Sequence, residues 1–411
     1  MKINKHCFPN GLRLVHYEDT STQMVALNIV YDVGARDEHP EHTGFAHLFE
    51  HLMFGGSAHI PDYDTPLQLA GGENNAWTNN DITNYYLTVP KPNVETAFWL
   101  ESDRMLELAF SEQSLEVQRG VVMEEFKQRC LNQPYGDVGH LFRPLAFRVH
   151  PYRWPTIGKE LSHIEQATLD EVKSFFYRFY APNNAVLAVT GNISWNETVK
   201  LTEKWFAPIP RRDVPVRQLP QEPEQTQERR LTVERNVPLD ALFMGYHMCS
   251  REGADYYAFD ILSDILSNGR SSRLNRRLVQ EQNIFSGIDA YISGTRDAGL
   301  LQISGKPAAG VSLEQAEAAV RKELEELQRS PVDGQELEKV KNKFESTQIF
   351  GNINYLNVAT NLAWFELTGK AEDIDLEVER YRSVTTEQLH TVAQRTFCES
   401  NAVVLYYKSD K

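Results

Sequence analysis

The sequence lacks the features of a disulfide-stabilised, secreted or membrane-spanning protein. Its four cysteines (Cys7, Cys130, Cys249 and Cys398) are far apart and form no C-x-x-C pair, which argues against a disulfide framework and a thiolate metal site. No apolar run approaches the roughly 20 residues needed to cross a bilayer. Residues 1–6 lack the apolar segment of a secretory signal, so a cytoplasmic location is expected, or a periplasmic one if a leader has been removed.

An excess of basic charge is also missing. The formal net charge of −15 argues against nucleic acid as a partner. With 41% hydrophobic and 24% charged residues, the composition is that of a globular protein. A chain of 411 residues is too long for one ordinary core, so two domains of about 200 residues are expected.

The boundary between the domains is predicted where Pro, Gln, Glu and Arg accumulate. This stretch contains little to bury, and it predicts a linker at 209–230 between an N-terminal domain, 1–208, and a C-terminal domain, 231–411. The halves resemble each other. Thr168 and Thr385 each open a helical pattern, and each is followed 16 residues later by the first residue of an apolar strand, Asn184–Val189 or Asn401–Tyr406.

A second matched pair supports duplication of one domain. The strands Ala26–Tyr31 and Ala241–Tyr246 both precede helices. The Asn10-Gly11 dipeptide predicts a hairpin near the N-terminus, which favours an α+β sheet over a doubly wound one.

The strongest chemical signal is the motif His47-x-x-Glu50-His51. The surrounding apolar residues recur at helical spacing and predict a buried helix that stops at Gly55-Gly56: Phe45, Leu48, Phe49, Leu52 and Met53. On this helix His47 and His51 stand at i and i+4, so both can reach one zinc ion. Glu50 is adjacent and can take a proton from a water on the metal. Because two histidines and a glutamate are costly to bury without a purpose, a metal site is favoured over a chance pairing.

A catalytic zinc takes three protein ligands, so one more is expected from another element. The segment 115–126 predicts a second helix with a buried Val117, Val121 and Val122 face. Either Glu124 or Glu125 could point inward, and the spacing does not decide between them.

These residues resemble the pitrilysin/insulysin family of metallopeptidases, whose inverted zinc motif places them among the inverzincins. The resemblance covers essentially the whole chain. It implies two homologous α+β domains, each a largely antiparallel sheet flanked by helices, in a clam-shell arrangement. It also implies that Glu125 is the third ligand of one zinc ion per chain, with Glu124 as its solvent-side neighbour. Manganese or cobalt would satisfy the same ligands.

The resemblance extends to Gly71–Thr78. The equivalent stretch in the family leads into an edge strand to which substrate adds as a further strand, so Asn75, Ala76 and Trp77 are candidate substrate-binding residues. An ordinary hairpin with an Asn-rich turn is the alternative. One departure is Gln118, which occupies the position of a supporting glutamate and could still hydrogen-bond to the site.

The larger departure is in the C-terminal domain. Related enzymes carry an arginine and, about seven residues later, a tyrosine that contact substrate. Here these positions are Val279 and Ser286. The sequence therefore resembles the zinc-bearing subunit of a two-chain enzyme, whose homologous partner would supply the missing pair. A homodimer is the other possibility.

The predicted function is zinc-dependent hydrolysis of short or unfolded peptides with Glu50 as the general base. The alternative is a non-catalytic assembly subunit of the same fold, which typically loses the zinc motif that is complete here. A different metal hydrolase has no second motif in its favour. The natural substrate is not identified by the sequence.

Overall fold

The computed structural model describes residues 1–410. The strands are β1 (Ile3–Cys7), β2 (Arg13–Glu18), β3 (Met24–Tyr31), β4 (Glu73–Thr78), β5 (Thr83–Pro90), β6 (Ala185–Gly191), β7 (Arg229–Arg235), β8 (Ala241–Met248), β9 (Phe285–Ile292), β10 (Gly299–Pro307) and β11 (Ala402–Ser409).

The helices are α1 (Phe45–Leu52), α2 (Asp64–Leu69), α3 (Val94–Leu106), α4 (Glu112–Phe126), α5 (Val138–Ala146), α6 (Leu161–Glu165), α7 (Leu169–Phe179), α8 (Trp195–Trp205), α9 (Tyr256–Ser267), α10 (Leu313–Arg329), α11 (Gly334–Gly351), α12 (Tyr355–Thr368), α13 (Glu377–Ser383) and α14 (Thr386–Thr396). Two π-helical turns, Lys127–Leu131 and Asn275–Glu281, interrupt this regular pattern. None of the helices in residues 1–410 is both long and apolar enough to cross a membrane.

Five strands of the first sheet follow the same order as the five strands of the second sheet. The first is β1-β2-β6-β3-β5-β4 and the second is β7-β11-β8-β10-β9. Every neighbouring pair is antiparallel except β2–β6 and β7–β11, which are parallel and stand at equivalent positions. Without β1, the first sheet matches the second strand for strand, as expected for a duplicated domain. The predicted α+β class, with two largely antiparallel sheets flanked by helices, is confirmed.

The two helix starts that indicated duplication are present in the structure. Thr168 caps α7 by accepting a hydrogen bond from the backbone N–H of Glu171 at 3.3 Å. Thr385 caps α14 in the same way through the N–H of Gln388 at 3.2 Å. A threonine side chain satisfies a backbone donor that the first helical turn leaves without a partner, so both helices begin at the predicted residue.

The chain forms two compact units that each gather distant segments. Unit 1 contains Met1–Leu131, Trp154–Pro220 and Ile349–Leu376, and unit 2 contains Asn132–Arg153, Gln221–Gln348 and the chain from Glu377 onwards. The domains predicted at 1–208 and 231–411 therefore differ from these units in two places. Helix α12, from the second half of the chain, covers one face of the first sheet, and α5, from the first half, covers one face of the second sheet.

The first sheet is buried on both faces in consequence. One face carries Leu27, Tyr85 and Leu187 into a large core that contains α1, α3 and α7. The opposite face carries Val30 and Val186 into a smaller core beneath α12. Burial on two faces explains why β3 and β6 are apolar along nearly their whole length.

The segment predicted as a linker has no helix or strand before β7 begins at Arg229. Parts of it are nevertheless held by hydrogen bonds within unit 1. Arg212 donates to the carbonyl oxygen of Tyr180 at 2.7 Å, and Arg217 donates to the carboxylate of Asp37 at 2.6 Å. The segment contributes little apolar surface, and long polar side chains attach it to the packed unit.

The prediction of a buried valine face on α4 is wrong for two of the three residues. Val117 and Val121 are exposed, and only Val122 is buried. The buried side of α4 is formed by Leu115, Val122 and Phe126. These three residues recur at i, i+7 and i+11, so they share one face of the helix, whereas Val117 and Val121 lie on another.

Unit 2 contains a buried charge network that predicts how its stability responds to acid. Glu317 accepts hydrogen bonds from Arg230 at 2.5 Å, Arg321 at 2.7 Å and Tyr406 at 2.5 Å. Burial alone would raise the pKa of Glu317, but these three donors together hold the pKa at about 2. A carboxylate whose pKa is lowered by folding stabilises the folded protein at pH values above the pKa of the same group in the unfolded chain. That stabilisation is lost as the pH falls towards 2.

We expect Glu317→Gln to lower the Tm at pH 7 by roughly 2–8 °C, because one buried charge-assisted acceptor is lost. The Tm of the wild type should then fall more steeply than that of the variant between pH 4.5 and pH 2. Thermal melts followed by circular dichroism across this range measure both effects. Parallel pH curves for the two proteins would show that Glu317 does not contribute to acid sensitivity.

Candidate metal centre

The helix that carries His47 and His51 is part of the main core of unit 1. Leu48, Phe49 and Leu52 are buried in that core, as the apolar spacing predicts. Gly44 precedes the helix with a φ of 90°, a left-handed conformation that favours glycine. The core face anchors α1, and the two histidines project from another face of the same helix.

The third residue of the cluster comes from α4, which packs against α1. The Oε2 atom of Glu125 lies 3.5 Å from Nε2 of His47 and 3.3 Å from Nε2 of His51. Glu124 is exposed, whereas the carboxylate of Glu125 is largely shielded from solvent. Of the two glutamates that the sequence left open, the fold therefore brings only Glu125 to the histidines.

The geometry of these three residues fits a tetrahedral metal ion. Zinc binds imidazole nitrogen and carboxylate oxygen at about 2.0–2.2 Å, which puts two ligand atoms of a tetrahedron about 3.3–3.6 Å apart. The two nitrogen–oxygen separations above lie in this range. Within residues 1–410, this is the one cluster of three or more His, Cys, Asp or Glu side chains whose ligand atoms all lie within 4.8 Å of one another.

The protonation states also suit a cation. Burial lowers the pKa of His47 to about 4, against the opposing charge of Glu125, so the ring is neutral at pH 7. A hydrogen bond with His51, together with the positive charge of Arg129, holds the pKa of Glu125 below its usual range in spite of burial. Neutral imidazoles and an ionised carboxylate are the forms that bind a metal ion.

Arg129 is part of this site and was not predicted from the sequence. Its Nη2 lies 2.8 Å from Oε1 of Glu125, the oxygen that does not face the two histidines. Arg129 stands in the π-helical turn that follows α4, four residues after Glu125. The i, i+4 spacing of opposite charges was the available signal, since such residues meet on one side of a helix.

Glu50 lies on α1 between the two histidines and is half-buried. Burial raises the pKa of Glu50, while the nearby Thr78 hydroxyl and His51 lower it. Thr78 belongs to β4, so this strand runs close to the residue that the motif marks as a proton carrier. Thr78 was not predicted, because its proximity depends on the packing of β4 near α1.

Strand β4 forms one edge of the first sheet, as predicted for a strand that could accept a substrate chain. Ala76 pairs with Tyr85, so its side chain points to the core that contains α1. Trp77 pairs with Asn84 and packs in the opposite core, beneath α12. Asn75 alternates with Ala76 and lies on the same face as Trp77. Of the three candidate substrate-binding side chains, only that of Ala76 faces the metal-site side of the sheet.

The remaining predicted positions are less closely connected to the cluster. Gln118 is half-buried beside Gly55 and, within residues 1–410, makes no hydrogen bond to His47, His51 or Glu125. In unit 2, Val279 lies in the π-helical turn Asn275–Glu281 and packs on the core. Ser286 is exposed on β9 and donates a hydrogen bond to the carbonyl oxygen of Lys306 at 3.1 Å.

Two family models match the chain. The model described as insulinase (peptidase family M16) matches residues 13–137, which include the cluster, and the model described as peptidase M16 inactive domain matches residues 166–344. The zinc protease PqqE of Helicobacter pylori is 26% identical over 405 residues, covering 97% of this chain and 91% of that protein.

Solved structures of related proteins have the same fold. The crystal structure of a protease from Helicobacter pylori superposes with a TM-score of 0.94 at 26% identity and covers 99% of both chains. A structure described as a peptidase M16 inactive domain from Pseudomonas fluorescens has a TM-score of 0.90 at 16% identity, covering 100% of this chain and 99% of that one. At 16% identity this second likeness shows the fold alone.

Proposed function

Because the chain belongs to the M16 (insulinase and pitrilysin) peptidase family, we propose that it is a zinc-dependent endopeptidase that hydrolyses short or unfolded peptides. The observation that carries this proposal is the convergence of His47, His51 and Glu125 at distances suited to tetrahedral zinc, with Glu50 on the same helix. One zinc ion per chain is proposed, since no second cluster of this kind occurs in residues 1–410.

The chemistry follows from what each side chain can do. His47, His51 and Glu125 hold the ion, which when bound supplies a Lewis acid for attack of water on a peptide carbonyl. Glu50 takes the proton from the attacking water and delivers it to the departing amine nitrogen. A carboxylate whose pKa is raised by burial is a stronger base than an exposed one, which suits this role. Arg129 restrains the second oxygen of Glu125, leaving the first directed to the ion.

The edge of β4 is the proposed docking strand for substrate. An extended peptide that adds to this edge is read through its main chain, so recognition depends little on sequence. Within Asn75, Ala76 and Trp77, only alternate residues present their backbone N–H and C=O to the open edge, and the side chain of Ala76 faces the same side as Glu50. An extended backbone is required, which favours short or unfolded chains over folded proteins.

A partner chain is also proposed. Val279 and Ser286 occupy the positions of the arginine and tyrosine that resemblance to the family leads us to expect. A homologous subunit would supply this pair in a heterodimer, and a second copy of the chain is the alternative. Purified chain that cleaves peptides at full rate as a monomer would contradict the proposed need for a partner.

A non-catalytic role has one observation in its favour, the match of residues 166–344 to the inactive-domain model. That range excludes His47, Glu50, His51 and Glu125, all of which lie inside the match to the insulinase model. The inactive-domain likeness therefore concerns the half of the chain without the cluster. A peptidase remains the better-supported function.

The test is cleavage of an unstructured fluorogenic peptide library with and without a chelator such as 1,10-phenanthroline. Chelator-sensitive cleavage that returns on addition of zinc is expected, either for the chain alone or with its homologous partner. If neither preparation cleaves peptides although the chain binds about one zinc ion, the non-catalytic role becomes the better reading.

A further inference from the structure

The first turn of α1 is held by a carboxyl group that comes from outside the helix. Glu38 is buried, and its two oxygens accept separate backbone hydrogen bonds. Oε2 accepts from the N–H of Gly44 at 2.9 Å, and Oε1 accepts from the N–H of Ala46 at 2.9 Å. Ala46 immediately precedes His47, so this two-point contact ends one residue before the first histidine of the cluster.

Helix α1 has no cap of its own. Its N-cap residue is Gly44, which has no side chain to accept a hydrogen bond, and its first turn contains no acidic residue. The initial N–H groups of a helix lack partners inside it. Glu38 supplies acceptors for two of these N–H groups from a separate segment.

The structure also explains why the cap cannot come from position 44. A Cβ atom on Gly44 would lie 2.7 Å from Cδ1 of Ile164 and 2.9 Å from the carbonyl oxygen of Ile157. The left-handed φ of 90° disfavours side-chain-bearing residues as well. A serine or aspartate at the N-cap is therefore excluded by space and by backbone conformation.

The segment that bears Glu38 is itself held in place. Asp37 is bound by Arg217 and accepts a hydrogen bond from the N–H of Gly34 at 3.0 Å. The indole N–H of Trp154 donates to the carbonyl oxygen of Ala35 at 2.9 Å. Because the residues just before Glu38 are held at two points, Ala35 and Asp37, the position of Glu38 relative to the helix is fixed.

We propose that Glu38 is a positioning residue for the metal centre. By binding two N–H groups at the start of α1, Glu38 fixes the position of the helix along its axis and its rotation about that axis. It thereby fixes where the imidazole rings of His47 and His51 lie relative to the carboxylate of Glu125. This inference rests on the proposed zinc centre. A metal site tolerates only small displacements of its ligands, so loosening the clamp weakens metal binding.

The experiment compares Glu38→Gln with the wild type and with Glu317→Gln as a matched control. Glutamine keeps one acceptor oxygen but turns an N–H₂ group towards the other backbone donor, which breaks the two-point clamp. Glu317→Gln removes a buried carboxylate of similar exposure in unit 2 and reports on lost stability alone. Zinc affinity is measured by competition with a chromogenic chelator well below the Tm of each protein, and coordination by the visible spectrum of the cobalt-substituted chain.

We expect zinc to bind Glu38→Gln about 10-fold or more weakly than the wild type, with an altered cobalt spectrum, and to bind Glu317→Gln as the wild type does. Equal affinity and identical spectra for Glu38→Gln and the wild type would overturn the inference, whatever the change in Tm. A wild type that binds no zinc would instead refute the proposed function. If Glu38→Gln does not fold, Glu38→Asp, which keeps the carboxyl group but is one methylene shorter, is measured in its place with the same expectation.

Discussion

Glu50→Gln should reduce peptide hydrolysis by at least about 100-fold while the chain still binds zinc. The amide has nearly the shape of the carboxylate but cannot accept the proton of the attacking water. Glu50 does not belong to the three-residue cluster, so its replacement leaves the proposed ligands intact. The measurement is kcat/KM on an unstructured peptide, together with zinc content determined by atomic absorption.

Glu124→Gln is the matched control for this experiment. Glu124 is exposed on α4 and lies next to Glu125, so its replacement removes one negative charge close to the site without touching the cluster. Its kcat/KM should remain within about 2-fold of the wild type, since an exposed charge acts weakly across solvent. Undiminished hydrolysis by Glu50→Gln would exclude Glu50 as the general base.

Glu125→Gln is expected to have the second largest effect, the loss of zinc itself. A neutral amide is a much weaker zinc ligand than a carboxylate, and it removes the charge that lies 3.3 Å and 3.5 Å from the two imidazoles. We expect the zinc affinity to fall at least about 100-fold, with loss of peptide hydrolysis at limiting zinc. Isothermal titration calorimetry, with zinc added to the metal-free protein, measures the affinity directly.

The same Glu124→Gln control is decisive here, because the two glutamates are neighbours in sequence and differ in direction. Glu124→Gln should bind zinc like the wild type. If instead Glu124→Gln lost zinc and Glu125→Gln kept it, the orientation of α4 in the structure would be wrong for the metal-bound protein.

Several features of the protein followed from local patterns alone. A helical period of 3.6 residues places His47 and His51 on one side of α1, and no tertiary contact is needed for that conclusion. The caps at Thr168 and Thr385 are also local, since each threonine bonds to an N–H three residues later. The α+β class followed from short apolar strands alternating with amphipathic helices.

The choice between Glu124 and Glu125 did not follow from residue spacing. Val117 and Val121, which the sequence predicts to face inward with Val122, are exposed. Leu115, Val122 and Phe126 form the buried face of α4. Helix α4 has too few apolar residues to define a single apolar stripe, so the rotation of the helix about its axis is set by the residues it packs against. Family resemblance selected Glu125 in the sequence, and packing against α1 gives that choice a physical reason.

Sequence patterns that span a few residues determined the helices and strands, the pairing of His47 with His51 and the position of Glu50, because the helical and strand periods repeat within a few residues. Tertiary structure alone decided that Thr78 lies beside Glu50 and that Glu125 of α4 reaches the two histidines of α1. It also decided that α5 and α12 each cover the sheet built mainly from the other half of the chain. Such contacts join residues far apart in sequence, and they depend on which apolar faces bury each other, which no local pattern records.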